Sequence, residues 1–253
     1  MTQELLLTGE RTVPGVALEN YWFRRHEAAY QWVIDSFNLA GALVVEAGCG
    51  EGYGAAALSR AGAAVLAVDD DPATADHARV RYPQVRVAQA NLVQLPLPDA
   101  SVGFIVSMQV IEHLWDVRAF LRECHRVLAP AGTLIVSTPN RITFSPDLGR
   151  HEPPVNPFHR EEFDAGQLGD LVSGEGFEVT AIAGLQHGPR LLAAERASGS
   201  LVQRQIDAIL SGGTWPTRLK QEVAQVTSGD FTIGPVIPEE ALDLIVTARR
   251  RSP

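Results

Sequence analysis

An acidic residue and a run of glycines form the segment Glu46-Ala47-Gly48-Cys49-Gly50-Glu51-Gly52, which follows a short hydrophobic stretch. Glycines allow a tight turn and let a ligand approach the backbone, and the N-terminus of a following helix directs unpaired N–H groups at that ligand. Asp69 ends the next hydrophobic stretch, where its carboxylate can accept hydrogen bonds from two ribose hydroxyls. This spacing predicts a site for a ribose-containing cofactor.

A second group of residues that could do chemistry follows a later hydrophobic stretch. Gln109, Glu112 and His113 lie close together, and His159 lies farther along, in a proline-rich segment. Either histidine is a candidate general base for a hydroxyl, and Glu112 could orient that base or hold a divalent cation. Because the Gln109 amide is a poorer ligand for a hard cation than a carboxylate, metal dependence stays open. Structural roles for Glu112, His113 and His159 are the alternative.

The elements that position these residues alternate between strand and helix, which predicts an α/β fold with a doubly wound, mostly parallel sheet. Hydrophobic segments predict strands at 42–47, 64–69, 85–89, 102–107, 132–138, 177–184 and 241–248. Capping residues such as Asp71 and Asp116 favour helices at 53–61, 72–81, 116–128 and 161–173. We expect residues 1–253 to form one domain.

Three segments exceed a minimal core of this kind: 1–40, 139–160 and 186–240. Because ligands bind beyond the carboxyl ends of parallel strands, we expect an N-terminal helical lid, a substrate loop and a helical insertion before the last strand. The insertion should cover the substrate edge or form a homodimer contact. The side chains predicted to contact substrate or close the lid are Tyr21, Trp22, Arg24, His26 and His187. For Trp22 the alternative is burial on an amphipathic helix.

Charge and composition exclude several classes of partner. The chain of 253 residues carries a net charge of −9, so no basic surface for nucleic acid or anionic lipid is expected. The apolar stretches are too short to span a bilayer and the N-terminus lacks the basic start of a signal peptide, which predicts a cytoplasmic protein. Two cysteines without a C-x-x-C pair indicate neither a disulfide nor a zinc site.

The residues around the glycine run distinguish two cofactor classes. Dinucleotide sites use G-x-G-x-x-G to place a pyrophosphate on a helix N-terminus. Here the run is G-x-G-x-G, and the carboxylates of Glu46 and Glu51 would repel a pyrophosphate but suit an ammonium or a sulfonium. S-adenosyl-L-methionine (SAM) carries both of these positive groups.

Residues 44–69 resemble motifs I and II of the class I SAM-dependent methyltransferases, and the similarity continues at 95–99 and 127–134. The resemblance implies a Rossmann-like sheet of seven strands with helices on both faces and an antiparallel last strand. It also implies SAM as cofactor and S-adenosylhomocysteine as product. Asn91 stands where these enzymes commonly have Asp, and its side-chain oxygen can still accept the hydrogen bond of the adenine amino group. The cofactor-binding residues implied are Glu46, Gly48, Gly50, Gly52, Tyr53, Asp69, Asp70, Asn91, Leu92 and Gln109.

The segment 109–113 is similar to the E-x-x-E-H segment of ubiquinone-pathway and small-RNA 2′-O-methyltransferases, some of which bind a divalent cation there. A closer resemblance covers nearly the whole chain. The protein resembles the mycobacterial and actinomycete methyltransferases assigned to 6-O-methylglucose lipopolysaccharide biosynthesis. The segments that carry this resemblance are 7–12, 19–26, 109–116, 137–146, 156–159 and 187–191.

This closer resemblance implies that the acceptor is a carbohydrate, a sugar hydroxyl on a cytoplasmic α-1,4-glucan. The residues themselves leave other functions open. A small-molecule O-methyltransferase for quinones or polyketides would keep the same cofactor site, and a catalytically silent SAM-binding protein would bind the cofactor without turnover. An oxidoreductase would need a loop compatible with pyrophosphate.

Overall fold

Eight strands form one sheet in the part of the chain that the computed structural model describes, residues 12–149, 152–212 and 215–251. Their order across the sheet is β3-β2-β1-β4-β5-β8-β6-β7. The strands are β1 Leu43–Ala47, β2 Ala64–Asp69, β3 Arg86–Gln89, β4 Val102–Met108, β5 Leu128–Pro139, β6 Phe177–His187, β7 Phe231–Pro235 and β8 Asp243–Arg250.

The first five strands run parallel to one another, because β1 pairs in parallel with β2 and β4, β2 with β3, and β4 with β5. β8 lies antiparallel between β5 and β6, so β6 runs in the same direction as the first five. The predicted Rossmann-like, mostly parallel sheet with an antiparallel last strand is confirmed. The carboxyl ends of β1, β2, β4 and β5 therefore share one edge, where a ligand can bind.

The predicted number of seven strands is wrong by one. β7 lies inside the segment 186–240, predicted as a helical insertion, and pairs antiparallel with β6 at the end of the sheet. Its sequence Phe-Thr-Ile-Gly-Pro ends in two residues that are rare in strand interiors. A short edge strand of this composition gives a weak pattern, and its pairing partner is distant in sequence.

Helices cover both faces of this sheet. Capping side chains fix several starts: Asp71 accepts hydrogen bonds from the backbone N–H groups of residues 73 and 74, and Asp116 from that of residue 119. Among the described residues, none of the helices combines the length and apolar character needed to cross a membrane. The helices are α1 Asn20–Ser36, α2 Tyr53–Arg60, α3 Pro72–Arg81, α4 Val117–Val127, α5 Arg141–Phe144, α6 Ala165–Gly174, α7 Pro189–Ser198, α8 Leu201–Leu210 and α9 Thr217–Ala224.

Successive residues of β1 point to opposite faces of the sheet and belong to two separate apolar clusters. Val44 packs in the cluster that includes Tyr21 of α1 and Ala55 of α2, whereas Val45 packs with Phe120 of α4. Helices α8 and α9 contribute buried residues to the first cluster. The predicted lid and insertion therefore share one face of the sheet.

The insertion is attached to α1 by specific hydrogen bonds. The Asn20 amide donates to the backbone carbonyls of Val223 and Val226, at 2.9 Å each. Leu219 and Val223 of α9 are buried. Residues 1–11 of the predicted lid, 150–151 of the predicted substrate loop and 213–214 of the predicted insertion lie outside the described residues.

Candidate active site

A cavity of about 300 Å³ lies at the carboxyl ends of β1, β2 and β4. It gathers most of the residues predicted to hold a cofactor, together with His113 and His26. Glu46 and Gly52 are the two predicted cofactor residues that do not line it. The residues that line the cavity are Thr12, His26, Tyr30, Gly48, Cys49, Gly50, Glu51, Tyr53, Asp69, Asp70, Asn91, Leu92, Met108, Gln109, Val110, His113 and Leu114.

The glycine loop brings bare backbone to the cavity wall. Gly48 has φ of +79°, and a Cβ there would lie 2.5 Å from a methyl carbon of Val110. Gly50 has φ of +53°, and a Cβ there would meet nothing within 4 Å. Both conformations favour glycine, but for different reasons: Gly48 is packed closely, while Gly50 leaves space in which a ligand can approach the chain.

Hydrogen bonds to the loop hold Asp69 in place. The backbone N–H of Gly50 donates to Asp69 Oδ2 at 2.8 Å, and that of Asp71 donates to Oδ1 at 3.2 Å. Each carboxylate oxygen can accept a further hydrogen bond, so the group remains suited to two ribose hydroxyls. Asn91 Oδ1 accepts from the backbone N–H of Val93 at 3.0 Å, which orients the amide at the cavity edge.

Carboxylates dominate the charge of the cavity wall. Glu51, Asp69 and Asp70 line it, and none of the described lining residues is Lys or Arg. Tyr82 donates its hydroxyl to Glu51 at 2.7 Å, and His77 Nε2 lies 3.1 Å from the same carboxylate. Such a wall repels a pyrophosphate and attracts a cation. Open space at Gly50, acceptors for ribose and adenine, and negative charge together fit SAM.

Glu46 lies behind the loop and is fully buried. The Tyr30 hydroxyl donates to its Oε1 at 2.5 Å, and Gly54 allows this contact, since a Cβ there would overlap both side chains. Burial raises the pKa of Glu46 to about 8. The predicted contact of Glu46 with the ligand is thus replaced by a contact with α1, because Tyr30 belongs to that helix.

Helix α1 closes one side of the cavity through His26. Its Nδ1 lies 2.8 Å from the Tyr53 hydroxyl, which in turn lies 3.1 Å from Thr12 Oγ1. Burial and the positive charge of Arg25 lower the pKa of His26 to about 3, so the ring stays neutral. Of the predicted lid residues, His26 lines the cofactor cavity.

The other predicted lid residues point elsewhere. Tyr21 is completely buried, and its hydroxyl lies 2.6 Å from His187 Nε2, whose Nδ1 is 3.0 Å from Glu195. Tyr21 and His187 thus join α1 to β6 and α7, and the predicted contact of Tyr21 with substrate is wrong because its side chain is completely buried. The reason is helical periodicity, which turns position 21 to the inner face of α1.

Trp22 and Arg24 also lie outside the cavity. Trp22 is partly buried against the apolar cluster of α1, with the Arg25 guanidinium 5.1 Å from its ring centre. This is the alternative that the sequence offered for Trp22. Arg24 donates to Glu27 at 2.7 Å on the outer side of the helix.

Sequence reasoning missed Arg25, which connects α1 to the catalytic edge. This buried guanidinium donates through Nη2 to Gln109 Oε1 at 3.1 Å, and its Nε is 3.0 Å from Asp243 Oδ2. The Gln109 amide also donates to Ser137 Oγ at 3.2 Å. The available signal was the helical repeat, because Arg25 shares with Tyr21 the face of α1 that is buried.

Glu112, His113 and His159 come together after β4, as their predicted position at one edge requires. The two imidazole rings are 5.0 Å apart, and one potential ligand atom from each of the three side chains lies within 4.8 Å of the others. His113 Nδ1 is 3.0 Å from the backbone carbonyl of Phe158. A carbonyl can only accept, so Nδ1 carries the hydrogen and Nε2 carries the lone pair in the neutral ring.

His159 makes its contacts within the loop. Its Nδ1 lies 2.6 Å from Glu162, and the Asn156 amide is 2.9 Å from its Nε2. Ser145 donates to the second oxygen of Glu162 at 2.7 Å. Both ring nitrogens of His159 therefore help to hold the predicted substrate loop in shape.

Glu112 joins this loop to the sheet. Its backbone carbonyl accepts from the N–H of Arg160 at 2.6 Å, and Thr138 donates to its carboxyl at 3.0 Å. Burial raises the pKa of Glu112 to about 8, so the carboxyl carries a proton at neutral pH. A protonated carboxyl is a poor ligand for a cation until it loses that proton.

Comparisons with known proteins identify the family of this chain. Residues 45–136 match the family model of a methyltransferase domain. A probable S-adenosylmethionine-dependent methyltransferase of Mycolicibacterium smegmatis is 48% identical over 250 residues, which cover 97% of this chain and 95% of that protein. The chain belongs to the SAM-dependent methyltransferases. The predicted membership in the class I SAM-dependent methyltransferases and the predicted SAM cofactor are confirmed.

Two further known proteins are similar to this methyltransferase, one over part of its sequence and one in its structure. A ubiquinone biosynthesis O-methyltransferase of Bradyrhizobium diazoefficiens is 34% identical over 112 residues, 43% of this chain and 44% of that protein. The crystal structure of an S-adenosylmethionine-dependent methyltransferase from Mesorhizobium loti has a TM-score of 0.59 at 20% identity, over 88% of this chain and 99% of that one. At 20% identity, the similarity to the Mesorhizobium loti structure supports the fold alone.

Proposed function

We propose that this methyltransferase acts on a carbohydrate hydroxyl, the 6-OH of glucose units in a cytoplasmic polymethylated α-glucan. One observation carries the O-methylation: His113 lines the cofactor cavity while the Phe158 carbonyl holds its Nδ1 as a donor. The choice of a glucan follows the resemblance to the mycobacterial and actinomycete methyltransferases. A neutral imidazole in this tautomer offers the Nε2 lone pair to the proton of an alcohol. A base at the place where cofactor and acceptor meet favours O-methylation.

The cofactor assignment follows the polar groups of the cavity. Asp69 would accept the ribose hydroxyls, and Asn91 would accept the adenine amino group beside Leu92. Backbone at Gly48 and Gly50 would approach the ligand closely. Glu46 and Gly52 support the loop from behind.

The reaction is a methyl transfer to an alcohol oxygen. When bound, SAM would supply an electrophilic methyl group on a positively charged sulfur, and the methyl–sulfur bond would break as the new C–O bond forms, leaving the neutral thioether of S-adenosylhomocysteine. The protein aligns the acceptor oxygen with that methyl group and keeps water out, and alignment contributes most of the rate because the donor is already activated. His113 takes the hydroxyl proton as the new C–O bond forms.

A divalent cation held by Glu112, His113 and His159 is the second way to activate the acceptor. It would lower the pKa of the bound hydroxyl. To bind it, Glu112 must lose its proton and His159 must exchange the Asn156 amide for the cation. We therefore favour the base mechanism and treat the cation as the alternative that a chelator tests.

The character of the loop supports a polar acceptor. Described residues of the loop and of the turn that follows, 141–149 and 152–162, line a cleft with Arg141, Asn156, Arg160 and Glu161 among its walls. These side chains can exchange hydrogen bonds with several hydroxyls. The second candidate function, O-methylation of a small quinone-type molecule, is favoured by the name of the Bradyrhizobium relative.

Labelled SAM and a panel of glucan, mannoside and phenolic acceptors test the proposal. We expect label in the glucan, and NMR of the product should place the methyl group on O6. Transfer to phenols alone would favour the small-molecule function. SAM binding by calorimetry without transfer to any acceptor would identify a catalytically silent protein.

A further inference from the structure

Two cavities adjoin at the pair of active-site histidines. His113 lines the cofactor cavity, and His159 lines the cleft of the substrate loop, which has a volume of about 570 Å³. The rings of the two histidines are 5.0 Å apart. An acceptor in the loop cleft would therefore lie next to the ring pair that borders the cofactor cavity.

The outer wall of this cleft continues to an exposed tryptophan. Trp115 is 83% exposed and lies two residues after His113. The Arg160 guanidinium lies 3.6 Å from the centre of its ring, and Arg160 also lines the loop cleft. The backbone of Arg160 is held by the Glu112 carbonyl. One face of the indole is thus covered by a residue of the cleft.

This exposure is unusual for the largest apolar side chain. Burying an aromatic ring is favourable, so an exposed indole beside an active site commonly has a binding role. Stacking on Arg160 fixes the orientation of the ring before any ligand arrives, which reduces the entropy lost on binding. The face of the indole that Arg160 leaves open is flat and apolar, which suits a ligand that presents a face of C–H groups.

We propose that Trp115 and Arg160 form an outer sugar subsite for an oligosaccharide acceptor. One sugar unit occupies the loop cleft beside His113, and a neighbouring unit packs its C–H face on the open face of the Trp115 indole, while Arg160 on the opposite face holds the ring in place. This inference rests on the proposed carbohydrate substrate and adds that the enzyme prefers an oligomer to a single sugar.

Kinetics with a linear α-1,4-gluco-oligosaccharide and a methyl glucoside test the subsite. In Trp115→Ala the ratio of kcat/KM for the oligosaccharide to that for the monosaccharide should fall about tenfold, the equivalent of about 1.4 kcal/mol of ring contact. The loss should lie in KM, and Trp115→Phe should restore part of it. The control is Leu210→Ala on α8, where the side chain is 79% exposed and the ratio should stay at the wild-type value.

The outcomes separate this subsite from the proposed function. A wild-type enzyme that methylates no glucan of any length overturns both. A wild-type enzyme that methylates glucans, with an unchanged ratio in Trp115→Ala, overturns the subsite alone. Light scattering adds a further check: a lower molecular mass of Trp115→Ala would make Trp115 a contact between copies of the chain and also overturn the subsite. SAM affinity should match the wild type and verify folding.

Discussion

The cofactor half and the acceptor half of the site are built in different ways. Loops after β1 and β2 form most of the cofactor half, and Asp69 is held by backbone N–H groups of two loops. The acceptor half depends on side chains that meet across long distances in sequence, such as His113 with the Phe158 carbonyl. Backbone N–H groups of adjacent loops orient the first half, whereas contacts between residues remote in sequence orient the second, so single substitutions should affect them differently.

The largest effect should come from His113→Ala, which would leave the cofactor half intact. Loss of a general base lowers kcat by about 10²- to 10⁴-fold, while SAM affinity measured by calorimetry should stay near the wild-type value. His125→Ala on α4 is the matched control and should keep its turnover, since that ring packs on Phe177 far from the cavity.

A chelator distinguishes the base from the cation in the same assay. If His113 acts as a base, EDTA should leave wild-type turnover unchanged, and His159→Ala should mainly raise KM because the loop loses its brace. Wild-type turnover in His113→Ala would contradict both mechanisms. Loss of wild-type activity with EDTA would make the three side chains metal ligands.

The second prediction concerns the link between the two halves. Arg25→Ala leaves the buried Asp243 carboxylate without its cation, and breaking such a pair costs about 3–5 kcal/mol of unfolding free energy. The adjacent Arg24 pairs with Glu27 at the surface, so Arg24→Ala should cost at most about 1 kcal/mol. Urea unfolding measures both variants. Equal costs would show that burial of the Arg25 pair does not decide its contribution.

The cofactor half, which is built from local segments, was easier to predict from the sequence than contacts between residues remote in sequence. Helix α3 was predicted at its observed bounds because Asp71 and Pro72 fix its start locally. The glycine loop and Asp69 were likewise predictable, since each follows one of two consecutive strands that pair in parallel and end at the same edge of the sheet. Tyr21, Arg25 and β7 were misplaced or missed because their partners His187, Asp243 and β6 are remote in sequence. The helical repeat of α1 indicates that positions 21 and 25 share a face, but it does not identify what that face contacts.

The third prediction tests the cofactor half. Asp69→Ala removes a carboxylate that can accept charge-assisted hydrogen bonds from ribose, each contributing about 1.5–3 kcal/mol. SAM affinity should fall accordingly in calorimetry. Asp76→Ala on α3 removes an exposed carboxylate that pairs with Arg79 and should bind SAM like the wild type. An unchanged affinity in Asp69→Ala would rule out the ribose assignment.

The smallest effect, a pH dependence, tests whether Glu46 belongs to the scaffold. Its pKa is raised by burial from 4.5 to about 8, so between these pH values the folded state keeps a proton that the unfolded state has released. Stability must then fall as pH rises through this window, by at most about 1.4 kcal/mol per pH unit, and level off above it.

The variant Glu46→Gln removes this titration, and its amide oxygen can still accept a hydrogen bond from Tyr30. The free energy of unfolding of this variant, measured in urea at several pH values, should therefore fall less steeply with pH than that of the wild type. Part of the pH dependence should remain in this variant, because burial also raises the pKa of Glu112 and that carboxyl still titrates. If the free energy of unfolding fell equally with pH in Glu46→Gln and the wild type, Glu46 would be ionised in the folded protein and would carry a charge behind the loop.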